Sequence, residues 1–238
     1  MIWTNPAYMS ESIQLGISAW QCYCLKAGYH FFLETYPFMR EDLHGAPFLS
    51  KLLATKKYMP YVDYLLVVDA DTIVANTTRR LEDIIATGEH LFFHERMHNR
   101  EIVAGIWLAK NSPFSSAFID EWIEYALCNC ANEGPRWTNH DNGALIHLIY
   151  QKYLHTQGTK CGRLYQESES IQSYWHFVQC VHDLIHSPTV SMPGVRIEQA
   201  ETSWFKFLEL GWQETGDWGT PSGLLQHSIA LYSASIVC

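Results

Sequence analysis

Tyr64-Leu65-Leu66-Val67-Val68-Asp69-Ala70-Asp71 is the stretch on which the fold turns. Five apolar or aromatic residues lead straight into two carboxylates separated by one small residue. An uninterrupted apolar run predicts a strand buried on both faces, as in a parallel sheet. Carboxylates are costly to bury without partners, so Asp69 and Asp71 are expected at the open carboxyl end of that strand. Two acidic side chains placed there can share a hard divalent cation through oxygen ligands. The plainer alternative is that the acidic pair opens a turn.

Working outward, strands and helices alternate. Residues 10–27 predict a helix capped by Ser10 or Ser12 and stopped by Gly28. Residues 29–33 form a short aromatic strand, and 47–58 a second helix that ends before Pro60. Beyond the acidic pair, 79–86 reads as a helix closed by Gly88. Residues 90–93 and 102–109 read as strands, and 113–127 as an amphipathic helix with Pro113 in its first turn. Residues 142–153 predict a further helix. This alternation, through about residue 155, predicts an α/β fold with a mostly parallel sheet covered by helices. In such sheets ligands bind at the carboxyl ends of strands, where Asp69 and Asp71 fall. No internal repeat or long linker interrupts the chain. The simplest organisation is therefore a single domain over 1–238, with a core of about 29–155. The region from about 185 to 238 is loop-rich and suited to binding.

Composition narrows the function classes. The 238 residues are 47% hydrophobic and 17% charged, which excludes global disorder. The net charge of −9, without a Lys/Arg cluster, argues against a nucleic-acid partner. An acidic protein still binds diphosphates when a metal ion supplies the positive charge. Nine Trp, thirteen Tyr and eleven Phe supply core volume and rings on which sugar faces stack. Of the seven cysteines, Cys22/Cys24 and Cys128/Cys130 are spaced too tightly for a zinc knuckle. Cys161 and Cys180 could pair as a disulfide in an oxidising compartment. Asn76-Thr77-Thr78 is a potential glycosylation acceptor close to the acidic pair. Met1–Pro6 shows neither a basic region nor an apolar core, and no run of ~18 apolar residues forms a transmembrane segment.

Three further segments hold chemistry-bearing residues. In Trp137-Thr138-Asn139-His140-Asp141-Asn142-Gly143-Ala144-Leu145, Asp141 is either a helix N-cap or a group that orients a sugar or takes a proton from a hydroxyl. His140 and Asn142 flank it. In Glu101-Ile102-Val103-Ala104-Gly105-Ile106, the small pair Ala104-Gly105 marks either a bulge or a close approach by a ligand. His227, in Leu224-Leu225-Gln226-His227, is a lone histidine that could complete a metal shell from the carboxyl-terminal side.

These segments occur in the order of the GT-A glycosyltransferase fold. The chain resembles a nematode-expanded family of nucleotide-diphospho-sugar transferases and, more distantly, galactosyl/mannosyltransferases. The resemblance rests on 61–71, on 101–105 continuing to Leu108-Ala109-Lys110-Asn111, and on 141–145. A weaker match spans 195–197, 202–205 and 225–227. It implies a metal-dependent transfer of a hexosyl group from a nucleotide diphosphate sugar to a hydroxyl. Asp69, Asp71 and His227 would hold Mn²⁺ or Mg²⁺, and Asp69, Ala70, Asp71, Ala104, Gly105 and Asn142 would contact the donor. Asp141 would contact the donor sugar or the acceptor at the catalytic centre, the acceptor being a glycan, glycoprotein or glycolipid in the Golgi lumen. Against the family's pattern, the chain is expected to begin after the first strand. Its late His is followed by Ser228-Ile229-Ala230 rather than Gly, an aromatic residue and Lys. Those departures keep a non-catalytic sugar-nucleotide- or glycan-binding member as an alternative. An aspartate-nucleophile phosphohydrolase also places Asp-x-Asp after a strand, but no convincing downstream Lys and acidic pair follow.

Overall fold

The computed structural model describes residues 2–3, 11–35, 49–70, 72, 74, 76–85, 88–131 and 140–200. In chain order the elements are β1 (Ile2–Trp3), α1 (Glu11–Ala27), β2 (Leu33–Glu34), α2 (Ser50–Tyr58), β3 (Tyr64–Asp69), α3 (Glu82–Ile85), β4 (Leu91–His94), β5 (Ile106–Lys110), α4 (Pro113–Ala131), α5 (His140–Ile149), α6 (Thr159–Gln166), α7 (Ile171–Ile185) and β6 (Val195–Glu198). A single π-helical turn, Tyr150–Leu154, extends α5.

The described strands form one six-stranded sheet in the order β2-β1-β3-β5-β4-β6. β1 is parallel to β2 and β3, and β4 is parallel to β6. Only β5 is reversed, pairing antiparallel with β3 and β4. The α/β architecture and mostly parallel sheet are as the sequence predicts. β3, β4 and β6 therefore point the same way, and their carboxyl ends share one edge.

Alternation along the strands divides the core. Leu65, Val67, Leu91, Phe93, Trp107 and Ala109 face a cluster built with Leu52 of α2, Phe118 and Trp122 of α4, Leu145 of α5, and Phe177 and Val181 of α7. Leu66, Val68, Phe92, Ile106 and Leu108 face the other way, against Ile17, Trp20 and Tyr23 of α1 and Ile84 of α3. With both faces covered, β3 can be apolar throughout, and Leu65–Val68 are all buried.

The structure corrects some expectations. Ile2–Trp3 pairs with both β2 and β3 and so fills the first-strand place that the chain was expected to lack. Two apolar residues are too short a run to announce a strand. The strand expected at 29–33 is reduced to Leu33–Glu34. Tyr29 instead packs against Tyr23, and Phe32 stacks on Tyr58. Residues 102–105 fall outside β5: Ile102 keeps an isolated bridge to Glu95, Asn142 takes the Ala104 backbone N–H, and Gly105 alone still accepts from β3. Gly28 and Gly88 adopt φ of +76° and +86°, as expected of residues that end helical segments. Of the region from about 185 to 238 that was expected to be loop-rich, residues beyond 200 lie outside the described residues.

Candidate functional site

Asp69 is the last residue of β3. Its backbone N–H donates to the Gly105 carbonyl at 2.7 Å, carrying the β3–β5 ladder one step further. The Thr72 hydroxyl and N–H both donate to the Asp69 carbonyl, at 2.7 and 3.2 Å. Trp20 of α1 in turn donates its indole N–H to Thr72. The turn that follows the strand is thus tied back to the helix layer. Ala70 is buried within that turn.

The side chain of Asp69 meets an unanticipated residue. Lys51 Nζ lies 2.9 Å from Asp69 Oδ1 and 2.6 Å from Asp141 Oδ2. The Lys51 side chain is only 4% exposed, Asp141 10% and Asp69 42%. Burial opposes the Lys51 ammonium, yet Asp141 and then Asp69 more than offset it and raise its pKa well above the ordinary lysine value. Two carboxylates on one ammonium leave the trio with one excess negative charge, open on the side of Asp69.

Asp141 sits in the first turn of α5, where a negative charge also suits the helix dipole. It lies inside the helix rather than at its cap, because α5 starts at His140. Its carbonyl accepts a 3.3 Å hydrogen bond from the Trp122 indole. Next to it, Asn142 Oδ1 accepts the Ala104 N–H at 2.7 Å, and its amide donates to Glu101 Oε2 at 3.4 Å. Glu101 is fully buried and also accepts from Arg96 at 2.7 Å and Tyr174 at 2.9 Å. This polar network fixes the segment 101–105 against the start of α5. A buried carboxylate with three donors is well compensated.

Gly105 is required where it lies. A Cβ built on it would stand 2.6 Å from Asp69 Oδ2 and 3.3 Å from Asp69 Cγ. The Ala104-Gly105 pair therefore marks a close approach, and the approaching group is the carboxylate of Asp69 itself.

The structure brings Asp69, Ala70, Ala104, Gly105, Asp141 and Asn142 to the carboxyl edge of the sheet. Asp71 and His227 lie outside the described residues. The oxygen donors at this edge have the chemistry that suits Mn²⁺ or Mg²⁺, and the Asp69 side chain is 42% exposed. Sequence reading missed Lys51, which looks like one more lysine in a helix; its only signal is its place between Ser50 and Leu52 at the start of α2.

Fold and site together define an α/β protein with a charged cluster at the carboxyl end of its central strand. The chain belongs to the family described as "Protein of unknown function, DUF273", whose model matches residues 20–228. No curated protein matches it. Among solved structures, one similar chain is the "crystal structure of a glycosyltransferase involved in the glycosylation of the major capsid of PBCV-1". It is 13% identical, with a TM-score of 0.45, covering 75% of this chain and 88% of that one. The likeness is too distant to bear on function.

Proposed function

We propose that this protein is a metal-dependent glycosyltransferase that moves a hexosyl group from a nucleotide diphosphate sugar to a hydroxyl of a glycan, glycoprotein or glycolipid. One observation carries the reading: two carboxylates singled out in separate sequence segments, Asp69 and Asp141, converge on one buried ammonium at the end of the central strand. That edge is where α/β sheets bind ligands.

In this reading Asp69 and Asp71, with His227, hold Mn²⁺ or Mg²⁺. The bound ion would stabilise the charge that builds on the leaving diphosphate. Lys51 fixes the orientation of Asp69 and neutralises part of the cluster. Gly105 leaves room for the Asp69 carboxylate, whereas Ala70 and Ala104 are buried among core residues and shape the strand end from beneath rather than touching the donor as the sequence suggested. Asp141, held to Lys51 through Oδ2, uses Oδ1 as an acceptor for a sugar hydroxyl. Asn142 holds the 104–105 backbone in place beneath the donor. The Cys161–Cys180 disulfide suits an oxidising compartment, which supports a place in the secretory pathway, the Golgi lumen included. Among the described residues no helix is long and apolar enough to cross a membrane.

The test is a panel of nucleotide diphosphate sugars with and without Mn²⁺, read by thermal stabilisation and by release of nucleoside diphosphate. At a hundredfold excess over Kd, one donor should stabilise the protein by about 2.7 kcal/mol. Asp71→Asn should abolish both signals. A variant that responds like the parent, or a parent that no donor stabilises, would sink the reading. Mn²⁺-dependent stabilisation without nucleotide release would instead identify a binding protein.

A further inference from the structure

We propose that Glu95, His182 and His186 form a separate cation site for a zinc-class divalent ion, which fastens α7 to the end of β4. The proposal does not depend on the transferase reading, because it uses different residues and a different donor set.

Glu95 directly follows β4. Its backbone N–H donates to the Glu198 carbonyl at 3.1 Å, and it bridges to Ile102. Its carboxylate is fully buried. His182 lies in the last turn of α7 and His186 at its C-cap, one helical turn apart on the same side. Their rings are 4.6 Å apart between centroids. Both reach Glu95 Oε1, His182 through Nδ1 at 2.8 Å and His186 through Nε2 at 3.0 Å. One prospective ligand atom from each of the three residues lies within 4.8 Å of the others.

Two imidazoles and one carboxylate are a common donor set for zinc. Tetrahedral coordination with bonds of about 2.0–2.1 Å places neighbouring ligand atoms roughly 3.3 Å apart. The two nitrogens already stand a few tenths of an ångström short of that distance from Oε1. Small side-chain rotations would open the gap, and His182 Nδ1 and His186 Nε2 would each turn a lone pair to the ion, with any proton on those atoms moving to the other ring nitrogen or to solvent. Nitrogen donors disfavour Ca²⁺ and Mg²⁺, and the general affinity order places Zn²⁺ above Mn²⁺. The imidazoles are about a fifth exposed, 18% and 21%, so the ion enters from solvent and a water completes its shell. The site's position gives it a structural role. α7 also carries Tyr174, which holds Glu101, and Cys180, which is bonded to α6.

The experiment uses full-length, tag-free protein stripped with a chelator. Zn²⁺ is titrated in competition with a chromophoric chelator, and Co²⁺ is added in parallel for its visible spectrum. Parent and Asp69→Asn should each bind one Zn²⁺ at this site, with the intense bands of four-coordinate Co²⁺. His186→Gln should weaken binding by about 100-fold or more and lose those bands. This partly exposed, helix-end position keeps the test valid if Glu95→Gln fails to fold. Equal Zn²⁺ affinity in His186→Gln and parent, or a six-coordinate aqua-like Co²⁺ spectrum in the parent, would overturn the site. Loss of Zn²⁺ binding in Asp69→Asn alone would assign the ion to the sheet edge and overturn it as well.

Discussion

Gly105 shows how one missing methyl group shapes the site. Asp69 cannot retreat from an added Cβ without loosening from Lys51, because Oδ1 is held by the ammonium while Oδ2 faces the glycine. Gly105→Ala is therefore expected to cost about 1–3 kcal/mol of stability, the usual range for overpacking. It should also weaken donor-dependent thermal stabilisation more than an alanine elsewhere in the loop. Unchanged unfolding and unchanged donor response would show that Asp69 has room to move. Glu82 offers a second residue-level test. The Tyr29 hydroxyl and then Arg80 hold its carboxyl down to about 2. Its folded pKa lies below the unfolded value of 4.5, so its contribution is complete above pH 4.5 and disappears as pH falls through about 2. The side chain is 55% exposed, so solvent screening limits the effect to ~1 kcal/mol or less. Glu82→Gln should be less stable than parent at pH 7, with the two converging towards pH 2 in denaturant titrations. A gap that stays constant across that range would remove the ionised carboxylate, with its Tyr29 and Arg80 partners, as its cause.

Among the described elements, α7 is held by several different kinds of contact. Ser170 and Ser173 close a reciprocal capping box at its start, and Phe177, Val178 and Val181 bury its apolar face. Tyr174 reaches the buried Glu101, and the Cys161–Cys180 bond joins α7 to α6 across a sequence separation of 19 residues. Closing a loop of this size removes unfolded-state entropy. Replacing both cysteines with serine should lower unfolding free energy by about 3 kcal/mol. A double variant as stable as the parent would mean that packing alone holds the two helices. The cysteine pair was visible in the sequence, but the helices that carry it were not foreseen. The predicted alternation stops near residue 155, and two helices in succession give no strand to mark the rhythm. His182 and His186 were legible in principle, as an i, i+4 pair on an amphipathic helix. Their meaning depends on Glu95, which nothing local distinguishes from an ordinary loop acid.

At the scale of the whole molecule, the sequence by itself determined the α/β class, the buried central strand and the acidic end of that strand. Local chemistry suffices for these. An apolar run can be satisfied only by burial on both faces, and a carboxylate that follows it must sit at the rim or be paired. It also determined that Asp69, Ala104-Gly105 and Asp141-Asn142 hold unusual residue types for their places. Only the tertiary structure decided what those residues meet. The reversal of β5 between two parallel strands is a pairing choice that no period encodes, and it brings Gly105 against Asp69. The seating of α2 on the sheet supplies Lys51, whose charge is tolerable in a buried place because Asp69 and Asp141 arrive there from opposite parts of the chain. Burial and charge pairing between distant segments are properties of the assembled sheet and helices. They become readable when the chain has closed around them.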